Sequence, residues 1–291
     1  MPVNLAQQRP HLAVRLTGVL VASLLIWLAM AWLTGNVFNA WPPNASHTAS
    51  AMFVFATAVP MVLAARRFLD RRSRAGLGLT GLREGWRPFI VGAVAWLLPG
   101  IAGLVVVSLG WVQITLVGSL TELAITVAML VVLVSAFEAF PEELIMRGYI
   151  QRNLTAAMPP WLAVVVQTFL FTGFGSVLWM VTAGWEAAAE QAVVFLGMGI
   201  VLGCIRVMTG NLWACIGYHV AFQTAAQLLL GDRHAVIVMD GPGSLELVPF
   251  AAAFAIGPAI VALLSPSDVN WRRREPDEVP ARTDANRGSL A

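Results

Sequence analysis

Four glutamates stand in or beside an otherwise apolar stretch, Glu122 near its start and Glu138, Glu142 and Glu143 crowded at its end, with Arg147 just beyond. An ionised carboxylate in hydrocarbon costs at least a few kcal/mol, so such residues face a bundle interior with a partner or a function. Their spacing is informative. On a helix, Glu138 and Glu142 share a face one turn apart, while Glu143 and Arg147, also four apart, can form an ion pair. Pro141 either bends the helix there or starts a new helical segment. One glutamate is thereby neutralised by Arg147, and another, away from water and beside a like charge, suits a general base. The competing reading is a structural salt-bridge cluster, because structural pairs perturb titration as well.

The elements that must hold these groups follow from composition. Of 291 residues, 58% are hydrophobic and 12% charged, far from the roughly 25% charged of a soluble domain, so a bilayer must solvate most of the chain. Runs of about 20 apolar residues cross as helices, since backbone polar groups must be satisfied within the segment. Eight runs are expected, near 14–34, 48–65, 88–110, 119–141, 161–183, 188–208, 211–230 and 246–265. The fold class is therefore all-α, a polytopic membrane bundle of about eight transmembrane helices. The first run resembles a signal peptide in having Arg9 and Arg15 ahead of it and Ala29-Met30-Ala31 within it, but its length predicts an uncleaved helix.

Orientation is read from arginine, since all 18 basic residues are arginines and cytoplasmic loops retain positive charge. Arg66, Arg67, Arg71, Arg72, Arg74, Arg83 and Arg87 place the segment after the second run inside, and with it both termini. Arg147, Arg152, Arg206 and Arg272–Arg274 fall on the same side by alternation, leaving only Arg233 outside. Glu186, Glu190, Asp232 and Asp240 are assigned to external loops. The net charge of +2 gives no reason to expect nucleic acid. Cys204 and Cys215 read as small hydrophobes. Gly199 and Gly203 form a GxxxG suited to close helix packing.

The chain divides accordingly. Residues 1–118 hold the N-terminal transmembrane helices and the basic cytoplasmic loop, and 119–230 form the core. Residues 231–265 hold an external loop and the last helix, and 266–291, rich in proline and charge, are expected as a disordered cytoplasmic tail.

Glu142-Glu143-Leu144-Ile145-Met146-Arg147-Gly148 resembles the EExxxR motif of the CPBP family, which comprises CAAX prenyl proteases and the bacteriocin-processing or immunity proteins also called Abi. Thr209-Gly210-Asn211-Leu212-Trp213, leading to His219, is similar to the last core motif of the same family, a Thr-Gly turn and an apolar helix ending on HxxxN or HxxxD. The resemblance covers about 120–230. It implies an intramembrane endopeptidase whose cavity opens to the cytoplasmic side and in which a glutamate-activated water attacks the scissile carbonyl. Carried over residue by residue, Glu142 is the general base, Glu143 its partner, Arg147 the structural ion-pair former and His219 an oxyanion stabiliser or proton donor. The substrate is a protein or peptide within reach of membrane lipids. Localisation in a bacterial cytoplasmic membrane is expected.

Two positions depart from the family pattern. Its middle motif, FxxxH, aligns with Phe171-Thr172-Gly173-Phe174-Gly175, so Gly175 stands where a histidine is expected, and the last motif ends on Gln223. His11, His47 and His234 are expected outside the cavity. With one intramembrane histidine, a zinc site of two histidines and a carboxylate cannot be assembled there, so no cofactor is expected, a metal ion remaining the alternative. Loss of one positioning group costs about 10²–10³ in rate. Tyr218, Thr172 and Ser176 are candidates to replace it, and Glu138, Gln223 and Gly175 to support the site. Beside the endopeptidase stand two other readings. One is an inactive family member acting in membrane binding or immunity. The other is a carrier relaying protons through Glu122, Glu138 and Glu142. What occupies the space beside Gly175 separates the first two: room for water keeps hydrolysis open, and a bulky side chain argues against it.

Overall fold

A computed structural model describes residues 9–231 and 236–276. Eleven helices and two short strands are found among them: α1 (Leu12–Asn36), α2 (Pro43–Ala64), α3 (Leu82–Ser108), β1 (Gln113–Leu116), α4 (Leu120–Val134), α5 (Phe140–Glu143), α6 (Arg152–Ala157), α7 (Pro160–Ala183), α8 (Trp185–Thr209), α9 (Leu212–Leu229), β2 (Ile237–Asp240), α10 (Gly243–Glu246) and α11 (Val248–Leu264). Seven helical spans among the described residues are long and apolar enough to cross a membrane, which makes the chain an integral membrane protein. The seventh expected run, α9, has 18 residues and is not among those seven spans. Its interior carries Tyr218, His219, Gln223 and Gln227, polar groups that depress its apolarity and that a helix facing lipid could not tolerate. It crosses the bundle nonetheless. Its start is hydrogen-bonded to Gly78 in the basic segment, and the strand that follows it, β2, pairs at the far end with β1.

The fourth span departs from the expected 119–141. It runs as one rod, Leu120–Ala157, in which α4, α5 and α6 are joined by π-helical turns at Ser135–Ala139 and Leu144–Gln151. Pro141 cannot donate to the carbonyl four residues back, and the widened turn just before it lets the rod continue. The acidic residues Glu186 and Glu190 lie in the first turns of α8 rather than in a loop, because Gly184, at φ 93°, turns the chain within a single residue. β1 and β2 form an antiparallel pair, Gln113 opposite Asp240 through Leu116 opposite Ile237.

The bundle's two ends differ in chemistry. At the arginine-rich end the buried Asp70 carboxylate accepts from Arg15, from Arg66 at 3.1 Å, from Tyr149 Oη at 2.9 Å and from Asn153 at 2.9 Å. This carboxylate joins α1, the end of α2 and the fourth rod. The segment after α11 is also held there: Trp161 N donates to Trp271 O, Glu275 N to Thr155 O, and Arg152 to the carbonyls of Glu275 and Pro276. The tail expected to be disordered from 266 is therefore docked as far as 276, and 277–291 lie outside the described residues, as do Asp232, Arg233 and His234.

Close approach of helices supports the centre. Gly199 and Gly203 bring α8 onto α7, where an added Cβ would meet Thr168 and Gln167. Backbone carbonyls of α8 thereby come within reach of side chains: Arg147 donates to Met198 O, Gln151 to Gly203 O and Gln167 to Gly199 O.

Candidate active site

The TGNLW segment aims the helix that carries His219. Thr209 ends α8, Gly210 takes the left-handed conformation at φ 61°, and Asn211 caps α9 by accepting from Trp213 N at 2.9 Å. Trp213 Nε1 then donates to Thr80 O at 2.9 Å, fixing the turn against the basic segment. From that anchor, His219 lies eight positions along the chain from Asn211, roughly 12 Å deep at 1.5 Å per residue.

There it meets the fourth rod. His219 Nδ1 lies 2.9 Å from Glu143 Oε1, and Arg147 Nη1 donates to the same oxygen at 2.9 Å. All three residues are buried. Arg147 also donates to Met198 O at 3.1 Å and sits 4.5 Å over the Phe171 ring, so its charge is held from several directions. With a carboxylate on Nδ1, Nε2 is the imidazole nitrogen left for other chemistry.

Glu142 points elsewhere. It lines a cavity of about 560 Å³ together with His219, Glu138, Gln223 and Gln227. Among the described residues it accepts no hydrogen bond, and its carboxylate is not sealed from solvent but faces the cavity. Glu138 accepts from Gln227 Nε2 at 3.3 Å and interacts with the Gln223 amide. The adjacent glutamates are thus divided: Glu143 is consumed by Arg147 and His219, and Glu142 remains open.

The remaining expected residues are distributed unevenly. Gly175 reaches the same cavity, but its open side is filled by Phe195, whose ring carbons would lie 2.5 Å from an added Cβ. Phe195 in turn packs edge-on against Phe171, with ring centroids 5.5 Å apart. Tyr218 donates to Ala253 O at 2.9 Å, and neither it nor Thr172 nor Ser176 lines the cavity, so none of the three stands in for the missing histidine. Glu122 is remote, capping α4 through Ser119. His11 immediately precedes α1 at the arginine-rich end. His47, expected outside, lines a second chamber of about 780 Å³ that shares Met30, Phe137, Glu138, Gln227 and Gly231 with the first.

Gln227 and Phe195 escaped the sequence reading. Gln227 was signalled: 219, 223 and 227 repeat every four residues along one face of α9. Phe195 gave no signal, because a phenylalanine in an apolar run is indistinguishable from core. No group of three or more His, Cys, Asp or Glu able to hold a metal ion occurs among the described residues.

Residues 124–225 match the family model described as type II CAAX prenyl endopeptidase Rce1-like. The match spans α4 to α9 and includes the EExxxR and TGNLW-to-His segments, so this core is similar to that family, consistent with the CPBP resemblance. Comparison with curated proteins and with solved structures gave no match.

Proposed function

We propose that the chain is a membrane-embedded endopeptidase of the CAAX protease type that hydrolyses a peptide bond with a water activated by Glu142, its arginine-rich end and both termini lying in the cytoplasm. One observation carries the reading. Of the paired glutamates, Glu142 alone is free in a cavity, facing the same space as His219. Water bound to Glu142 gives its proton to the carboxylate as its oxygen bonds to the scissile carbonyl carbon. Charge developing on the carbonyl oxygen is met by donors on the α9 face, protonated His219 Nε2 or the Gln223 amide. The proton on Glu142 then passes to the leaving nitrogen as the carbon–nitrogen bond breaks. Glu143 and Arg147 do not touch the reacting atoms; Glu143 holds the His219 ring and Arg147 holds Glu143. Peptide and membrane lipid are the partners this chemistry needs.

A second reading, a family member that binds without cleaving, is favoured by the Phe195 ring packed where the family places a histidine. One comparison separates the two. Membranes carrying the native chain or Glu142→Gln are incubated and new protein N-termini are identified by mass spectrometry. The hydrolytic reading expects termini that depend on the native chain and fall about 10²–10⁴-fold in the variant, with unchanged thermal unfolding. Termini equally abundant in both would remove Glu142 from the mechanism. The absence of native-dependent termini selects the non-cleaving reading.

A further inference from the structure

The two chambers lie in one half of the bundle. The long helices that line the first cavity do so from the same half: Trp27 and Met30 from α1, Phe171 to Trp179 from α7, Gln191 to Met198 from α8, His219 to Gln227 along α9, and Phe250 and Phe254 from α11. Its deepest residues, Phe171, Met198 and His219, are 2%, 2% and 4% exposed, whereas Leu230 and Leu247 at its rim are 41% and 52% exposed. Those rim residues flank the β1–β2 end. The second chamber begins at the same end, at the exposed Trp41 and Pro43 between α1 and α2, and meets the first across the Glu138–Gln227 hydrogen bond. Toward the other end, the floor is closed by buried Arg147, Gln151 and Tyr149, and beyond them by the Asp70 cluster.

We infer that substrate reaches Glu142 from the membrane face opposite the arginine-rich end, through the α1–α2 chamber and past the Glu138–Gln227 pair. The cytoplasmic opening implied by the motif resemblance is thus reversed. Because arginine marks the cytoplasmic side, the substrate is a polypeptide presented at the non-cytoplasmic face. The cavity that holds Glu142 is also lined by Phe171, Phe174, Phe195, Phe222, Phe250 and Phe254, which suits a large apolar side chain next to the cleaved bond. This inference rests on the proposed hydrolytic site for its substrate, but the access route is testable without catalysis.

Single cysteines are placed at Ala226, midway down the cavity, at Leu230 on its rim, and at Ser73 in the basic segment, with Cys204 and Cys215 replaced by alanine. Sealed vesicles of both orientations are treated with an anionic, membrane-impermeant methanethiosulfonate. Ala226→Cys and Leu230→Cys are expected to react from one face and Ser73→Cys from the other. Reaction of Ala226→Cys from the Ser73 face overturns the inference, and so does its failure to react from either face while Leu230→Cys reacts. Loss of cleavage in Glu142→Gln bears on the chemistry alone and leaves this result unchanged.

Discussion

At the scale of single residues, the site is organised by how one carboxylate is shared. Glu143 Oε1 serves both Arg147 and His219 in a place without solvent. Removing one member of a buried pair leaves an uncompensated charge, which costs about 3–5 kcal/mol. Glu143→Gln is therefore expected to lower the thermal midpoint in detergent strongly, and a Glu143→Leu/Arg147→Met double variant to recover part of the loss, since the two sites are coupled. Equal loss in the single and double variants would show that the pair is not the source. Gly175 raises a different question. Histidine introduced there meets the Phe195 ring at its first side-chain atom, so Gly175→His alone is expected to destabilise and to give no gain in turnover. Gly175→His combined with Phe195→Ala opens the space, and increased turnover in that double variant, read by the same appearance of new termini, is the expected result for a site that lacks only its second imidazole. EExxxR and the His219 segment were legible because charge in an apolar run must be explained. The division of labour between Glu142 and Glu143 was not, because adjacent helical residues differ by about 100° and only packing decides which one faces the cavity.

At the scale of elements, α9 shows why the sequence outlined the bundle but understated its centre. Its polar face, which keeps it below the apolarity of the other spans, is the face that lines the site. Of the π turns around Glu138 and after Glu143, only the first left a readable trace, Pro141, which a continuous rod accommodates by widening the turn before it. Nor did β1 and β2, four residues each and paired across more than a hundred positions, announce themselves. What positions α9 is its crossing with α3, where a Cβ on Gly217 would overlap the Phe89 carbonyl oxygen and one on Gly92 would overlap that of Ala214. Gly217→Ala must push the two helices apart. A loss of about 1–3 kcal/mol is expected, seen as a lowered thermal midpoint, together with reduced cleavage because His219 moves with the helix. An unchanged midpoint would mean that the crossing is looser than its geometry indicates.

For the whole molecule, the contrast between the two ends matters more than the number of spans. One end holds two connected chambers, and the other is closed by a carboxylate that gathers α1, the end of α2 and the fourth rod. Composition exposed the membrane and arginine exposed an asymmetry, but the seal at Asp70 joins residues 15, 66, 149 and 153, a set no local spacing connects. Asp70→Asn tests what the seal does. The amide keeps the shape and can still bond to Tyr149 or Asn153, yet it no longer compensates Arg15 and Arg66, of which Arg66 is 1% exposed. A loss of about 3–5 kcal/mol follows from the broken buried pair. Because that pair ties α1 and the end of α2 to the rod, the loosening is local to this end, so trypsin should cut the Arg66–Arg74 segment faster in the variant than in the native chain under conditions where both remain folded. The chambers, built from the other half of the bundle, should keep their cysteine reactivity at Ala226 and Leu230. If that reactivity instead changes face in Asp70→Asn, the two halves are mechanically coupled, and closure at the arginine-rich end governs which face reaches Glu142.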